Sequence, residues 1–100
     1  MLVISNHIPV APDWQEAFEQ RFQNRAGKID KQPGFVRLEI LKPVDTASPY
    51  IVQTVWEDET AFQNWVESDD FKEAHSNPLP KEAVTGNSHM EMHNIIIKSP

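Results

Sequence analysis

The chain contains no cysteine. Disulfides, thiolate nucleophiles, iron–sulfur clusters and thiolate ligation of a metal are thereby excluded, and histidine is left as the strongest transition-metal ligand available. Glycine is scarce too. The three glycines stand apart, so no glycine-rich loop exists to cradle a nucleotide phosphate. Serines and carboxylates fall into no triad or paired-acid spacing, and hydrolytic chemistry has no support. No apolar run approaches the ~20 residues needed to cross a bilayer. The segment from Met1 to His7 carries neither a basic region nor a small-residue cleavage site, which argues for a cytoplasmic protein rather than a secreted one. Basic residues are also few. Nine Lys and Arg against fifteen Asp and Glu leave a net charge of -6, and the cations are scattered, so nucleic acid is not an expected partner.

What is present fits one soluble domain spanning residues 1–100, with 39% hydrophobic and 24% charged residues. A domain of this size buries only about two-thirds of the surface its unfolded chain exposes, so a second copy would help complete its core. The first element is a strand, Leu2 to Val10, with Leu2, Ile4, Asn6 and Ile8 on one face and Val3, Ser5 and His7 on the other. Pro9 and Pro12 stop it. Asp13 then reads as the cap of a helix whose Trp14, Phe18 and Phe22 recur every fourth position, and which ends near Gly27 to Asp30. After the Gln32-Pro33-Gly34 turn come two strands, Phe35 to Leu41 and Tyr50 to Trp56, which read as a hairpin. Asp58 is the expected cap of a helix through Ala61, Phe62, Trp65 and Val66, and Ser68 starts another turn of helix bearing Phe71, Ala74 and His75. Residues 76–87 form a loop, and Ser88 to Lys98 a last strand. The order is βαββαβ, which predicts an α+β, ferredoxin-like antiparallel sheet with helices on one face and a second copy on the other.

Three residues attract attention. His75 stands one turn after Phe71 before a long loop, where it is either a metal ligand or a hydrogen-bonded, partly buried histidine. Trp65, by its spacing with Phe62 and Val66, reads as core. Asn6 interrupts an apolar strand face, and a buried amide must find partners: either a neighbouring backbone group or something bound beside it. His89 and His93 lie on a strand, where their Cα atoms stand ~13 Å apart, too far to share one ion; with His7 they read as a solvated or interface face.

Several segments together resemble the antibiotic-biosynthesis monooxygenase superfamily of dimeric α+β barrels, and within it the haem-degrading IsdG-type branch. They are Asn6; Arg21-Phe22-x-x-Arg25; Pro33-Gly34-Phe35; Val55-Trp56-Glu57-x-x-x-Ala61-Phe62-x-x-Trp65; Ser68-Asp69-x-Phe71-Lys72-x-Ala74-His75; and Val84-Thr85-Gly86. The turn and the Trp-Glu helix start are shared with cofactor-free quinol oxygenases, whereas Asn6, Trp65 and His75 stand in register with the functional positions of the haem-degrading branch. The resemblance implies that His75 ligates haem iron, that Asn6 hydrogen-bonds the distal ligand, and that Trp65 presses on a ruffled porphyrin. Phe71 is a further haem contact on this reading. Arg21 and Arg25 are propionate candidates or solvated charges; the loop after His75 adds only Lys81. The implied activity is O2-dependent cleavage of haem with release of iron by a homodimer. With no flavin or nicotinamide motif, electrons must come from an external reductase or a small reductant. The alternatives are a haem-binding storage or sensor module, and a cofactor-free monooxygenase acting on quinols or aromatics.

Overall fold

The computed structural model describes residues 1–25, 27–45 and 47–100. Four strands, β1 (Leu2–Ile8), β2 (Phe35–Leu41), β3 (Tyr50–Trp56) and β4 (His89–Asn94), form one antiparallel sheet in the order β2-β3-β1-β4. Among the described residues three α-helices accompany it: α1 (Gln15–Gln23), α2 (Glu59–Val66) and α3 (Asp69–Ala74). This is the ferredoxin-like α+β arrangement.

The pairing register sorts the strand residues by face. Leu2 opposes Trp56, Ile4 opposes Thr54 and Asn6 opposes Val52, so these lie on the helix side; Val3, Ser5 and His7, opposite Val55, Gln53 and Ile51, lie on the other. One bulge breaks the alternation. Between Phe35 and Arg37 the pairing with β3 shifts, and Phe35 is set opposite Trp56 instead of sharing the face of Arg37 and Glu39. Its ring meets Trp56 edge-on at 5.4 Å, and Trp56, fully buried, also contacts Phe62 and Trp65. Burying one such aromatic stabilises the fold by roughly 1.5–3 kcal/mol.

The helix-side core is divided. One cluster gathers Leu2, Ile4, Trp56, Ala61 and Trp65; the other gathers Val10, Phe18 and Tyr50, with Phe18 edge-on to both Phe22 and Tyr50. The gap between them is the candidate site.

Sequence-derived boundaries need four corrections. The first strand stops at Ile8, and Val10 makes only an isolated bridge to Val84. Asp13 caps nothing: it lies in a 3-10 turn, Pro12–Trp14, and α1 begins after Trp14 without a side-chain cap. That helix ends at Gln23, and a separate 3-10 turn, Lys28–Lys31, follows, entered through Gly27 at φ 73. The last strand stops at Asn94, leaving Ile96 and Ile97 exposed beyond it. Asp58 and Ser68 are true caps, accepting from the backbone N–H of Ala61 at 2.8 Å and of Phe71 at 3.1 Å. The loop after α3 is pinned down: Ala11 N–H donates to Ala83 O at 2.7 Å and Thr85 N–H to Pro9 O at 2.8 Å.

Candidate active site

Between the two clusters a cavity of about 1010 Å³ is floored by the sheet and walled by α1, α2, α3 and the loop after α3. Its size is at the upper end for small-molecule pockets, and its surface is mostly apolar with a few polar groups, the usual composition of such sites. All six residues singled out from the sequence, Asn6, Arg21, Arg25, Trp65, Phe71 and His75, line it.

Asn6 comes from the floor. On the central strand β1 it sits among Ile4, Ile8 and Val52, half-buried, with its amide open to the cavity and hydrogen-bonded to no described residue. Trp65 comes from α2. It is both core and wall: 5% exposed, lying over Trp56 at 6.5 Å and edge-on to Phe71 at 5.6 Å. Held on two sides by aromatic rings, its indole is a rigid surface.

His75 occupies the position that ends α3, not a place within the helix. Its Nδ1 is 2.9 Å from the Phe71 carbonyl oxygen, and its ring stacks on the Phe71 ring with centroids 4.0 Å apart. A carbonyl only accepts, so Nδ1 carries the proton of that hydrogen bond and, in the neutral ring, Nε2 keeps its lone pair. The backbone thus selects the tautomer and Phe71 fixes the ring plane. The side chain is exposed on the cavity rim, which leaves Nε2 accessible to a ligand.

The cations at the rim are all engaged. Arg21 donates through Nη2 to the Asn77 carbonyl, and Arg25, just beyond the end of α1, pairs with Asp30 at 3.2 Å. Lys28, absent from the sequence-derived candidates, also lines the cavity and pairs with Glu73 at 2.5 Å and Asp70 at 3.7 Å. The Glu73 carboxylate holds the Lys28 ammonium above its ordinary pKa. Lys28 follows a glycine turn rather than a periodic element, so no pattern signals it; Lys81 is not among the cavity-lining residues. No helix of the described residues is long and apolar enough to cross a membrane.

Comparison with known proteins places the chain in a family. Residues 1–77 fit the model of the antibiotic biosynthesis monooxygenase family. A heme oxygenase (staphylobilin-producing) of Staphylococcus haemolyticus is 39% identical over 80 residues, covering 77% of this chain and 75% of that protein. Among solved structures, the heme-degrader MhuD of Mycobacterium tuberculosis, with two hemes bound in its active site, superposes with a TM-score of 0.82 at 28% identity over the whole of both chains. A variant of SnoaB, a cofactor-independent oxygenase of Streptomyces nogalater, superposes with a TM-score of 0.75 at 25% identity, covering 99% of this chain and 96% of its own. The chain belongs to the antibiotic biosynthesis monooxygenase family.

Proposed function

We propose that this protein is a haem-degrading monooxygenase of the IsdG type, with haem as substrate and His75 as the iron ligand. One observation carries the reading. The His75 imidazole is hydrogen-bonded through Nδ1 to the Phe71 carbonyl and stacked on the Phe71 ring, so its remaining nitrogen is free at the wall of a cavity of about 1010 Å³. A neutral imidazole whose second nitrogen is tied to a backbone carbonyl is oriented and made more basic as a metal ligand. Support for haem over other ligands comes from the relatives, one a heme oxygenase and one a heme-degrader with hemes bound. The lining fits a porphyrin: a broad apolar surface with cations at one rim.

The chain's own residues then divide the work. Haem, when bound, supplies the iron that activates O2 and the ring carbons that are oxidised. Asn6 presents an amide donor from the sheet floor, where no described neighbour competes for it. Trp65, immobilised by Trp56 and Phe71, would present a rigid aromatic wall to a bound porphyrin. Arg21, Arg25 and Lys28, now paired with the Asn77 carbonyl, Asp30 and Glu73, would hold the propionate carboxylates. Electrons come from an external reductase or a small reductant, in keeping with a cytoplasmic setting. We take residues 1–100 as one domain that works as a homodimer. The sheet edge β4 is exposed along its whole length, and Met90, Met92, Ile96 and Ile97 are all open to solvent, a liability that a second copy removes.

Titration with hemin tests the reading. The wild type should develop a saturable Soret band with a histidine-ligated ferric spectrum, and His75→Ala should lose that spectrum. A wild type without a Soret band would instead favour a cofactor-independent oxygenase, the activity of SnoaB.

A further inference from the structure

A second constellation lies outside the cavity, on the sheet face turned away from the helices. There the antiparallel register of β1 and β4 sets His7 directly opposite His89, and Glu91 follows two residues along β4 on the same face. The two imidazoles stack with centroids 4.4 Å apart. Both aim Nε2 at one carboxylate: His7 Nε2 stands 3.6 Å from Glu91 Oε1, and His89 Nε2 stands 3.3 Å from Glu91 Oε2. One donor atom from each of the three residues lies within 4.8 Å of the others.

We propose that His7, His89 and Glu91 form a binding site for one first-row divalent transition-metal cation of the Zn²⁺ or Fe²⁺ class. The donor chemistry selects the ion. Two neutral imidazoles and a carboxylate suit Zn²⁺ and Fe²⁺, whereas Mg²⁺ and Ca²⁺ require oxygen donors. The distances are near those needed. A tetrahedral ion with bonds of about 2.0–2.2 Å holds its donors about 3.4 Å apart. The two imidazole–carboxylate separations bracket that value. Only the His89 and Glu91 side chains, exposed in the single chain, must turn to close the set, because His7, half-buried on the central strand, is fixed between β3 and β4. Three protein ligands leave the fourth position to water.

Spacing along the sequence cannot reveal this triad, since His7 and His89 are 82 positions apart and meet only through strand pairing. The site is independent of His75, which stands at the end of α3 on the opposite side of the sheet.

Isothermal titration of the haem-free full-length chain with ZnCl2 tests the proposal. The wild type should bind one ion per chain. His89→Gln and Glu91→Gln should each weaken binding about tenfold or more, with size-exclusion chromatography showing the same oligomeric state as the wild type. His75→Ala should leave the zinc affinity unchanged. Cobalt(II) added in place of zinc should give tetrahedral ligand-field absorption that His89→Gln abolishes, with an unaltered thermal transition confirming that the variant is folded. Absence of saturable zinc binding, retention of full affinity in both Gln variants, or loss of binding in His75→Ala would each overturn the assignment.

Discussion

Replacing Gly34 by alanine should destabilise the protein more than any other single-methyl addition at its glycines. Gly34 has φ 81, and a Cβ built on it would lie 2.4 Å from the Cβ of Ala61 in α2. Two costs add. An L-residue in the left-handed region costs about 1–2 kcal/mol, and forcing a methyl into packed space costs about 1–3 kcal/mol. The sum, about 2–5 kcal/mol, is a large part of the 5–15 kcal/mol available to a small domain. At about 4–8 °C per kcal/mol, the melting temperature should fall by at least about 8 °C. Gly27 provides the control. It also has positive φ, 73, but a Cβ there meets nothing nearer than 3.6 Å, so Gly27→Ala carries the strain without the overlap. Thermal unfolding of both variants separates the effects. If Gly34→Ala melted no lower than Gly27→Ala, the close approach of the turn to α2 would not be what requires glycine. The consequence reaches the site, because Ala61 and Trp65 are one turn apart on the same helix, and a displaced α2 moves the cavity wall.

Ser68→Ala removes the cap that accepts from Phe71 N–H and should cost about 1 kcal/mol; because α3 has six residues and ends on His75, hemin affinity should fall with it, which a parallel titration reads. Tyr50, the one tyrosine in the chain, is pushed up to about 12 by burial and by its hydrogen bond to Glu19. Folded and unfolded states both hold the proton below pH 10, so this contribution is fully present there and is lost as pH rises from 10.0 to about 12. Ultraviolet titration of the native protein should therefore detect phenolate only well above its ordinary pKa, and a normal titration near 10 would show the hydroxyl to be solvated. Asn6→Ala should leave hemin affinity nearly intact and slow turnover under reductant; wild-type rates would remove the amide from the account.

Local signals were enough for the elements whose boundaries are local. Asp58 and Ser68 act as caps within three residues of their partners, and the β-branched run Tyr50–Trp56 is a strand over its full length. Features set by distant partners were not legible. The bulge that sets Phe35 against Trp56 appears only in the pairing with β3, and nothing in Phe35-Val-Arg37 encodes it locally. Trp14 and Asp13 look like a helix start, but Pro12 and the packing of Trp14 against the Phe18 cluster leave a 3-10 turn instead. Ile95-Ile-Ile97 has strand composition, yet only β1 is available to pair with β4, and their pairing stops at Leu2 opposite Asn94. In the site, periodicity placed Trp65 in the core and left His75 ambiguous. Trp65 is core, as its spacing reads, and its ring also bounds the cavity. The expected convergence of Asn6, Trp65 and His75 came from family register, because three positions on β1, α2 and the end of α3 share no local pattern.

The most direct test of haem degradation is to reduce the reconstituted hemin complex under air, with ascorbate or a ferredoxin reductase system, while following the Soret band and analysing the product by mass spectrometry. The account predicts decay of the band, release of iron and an open tetrapyrrole. An intact Soret band and unaltered haem mass after hours of reduction would contradict it.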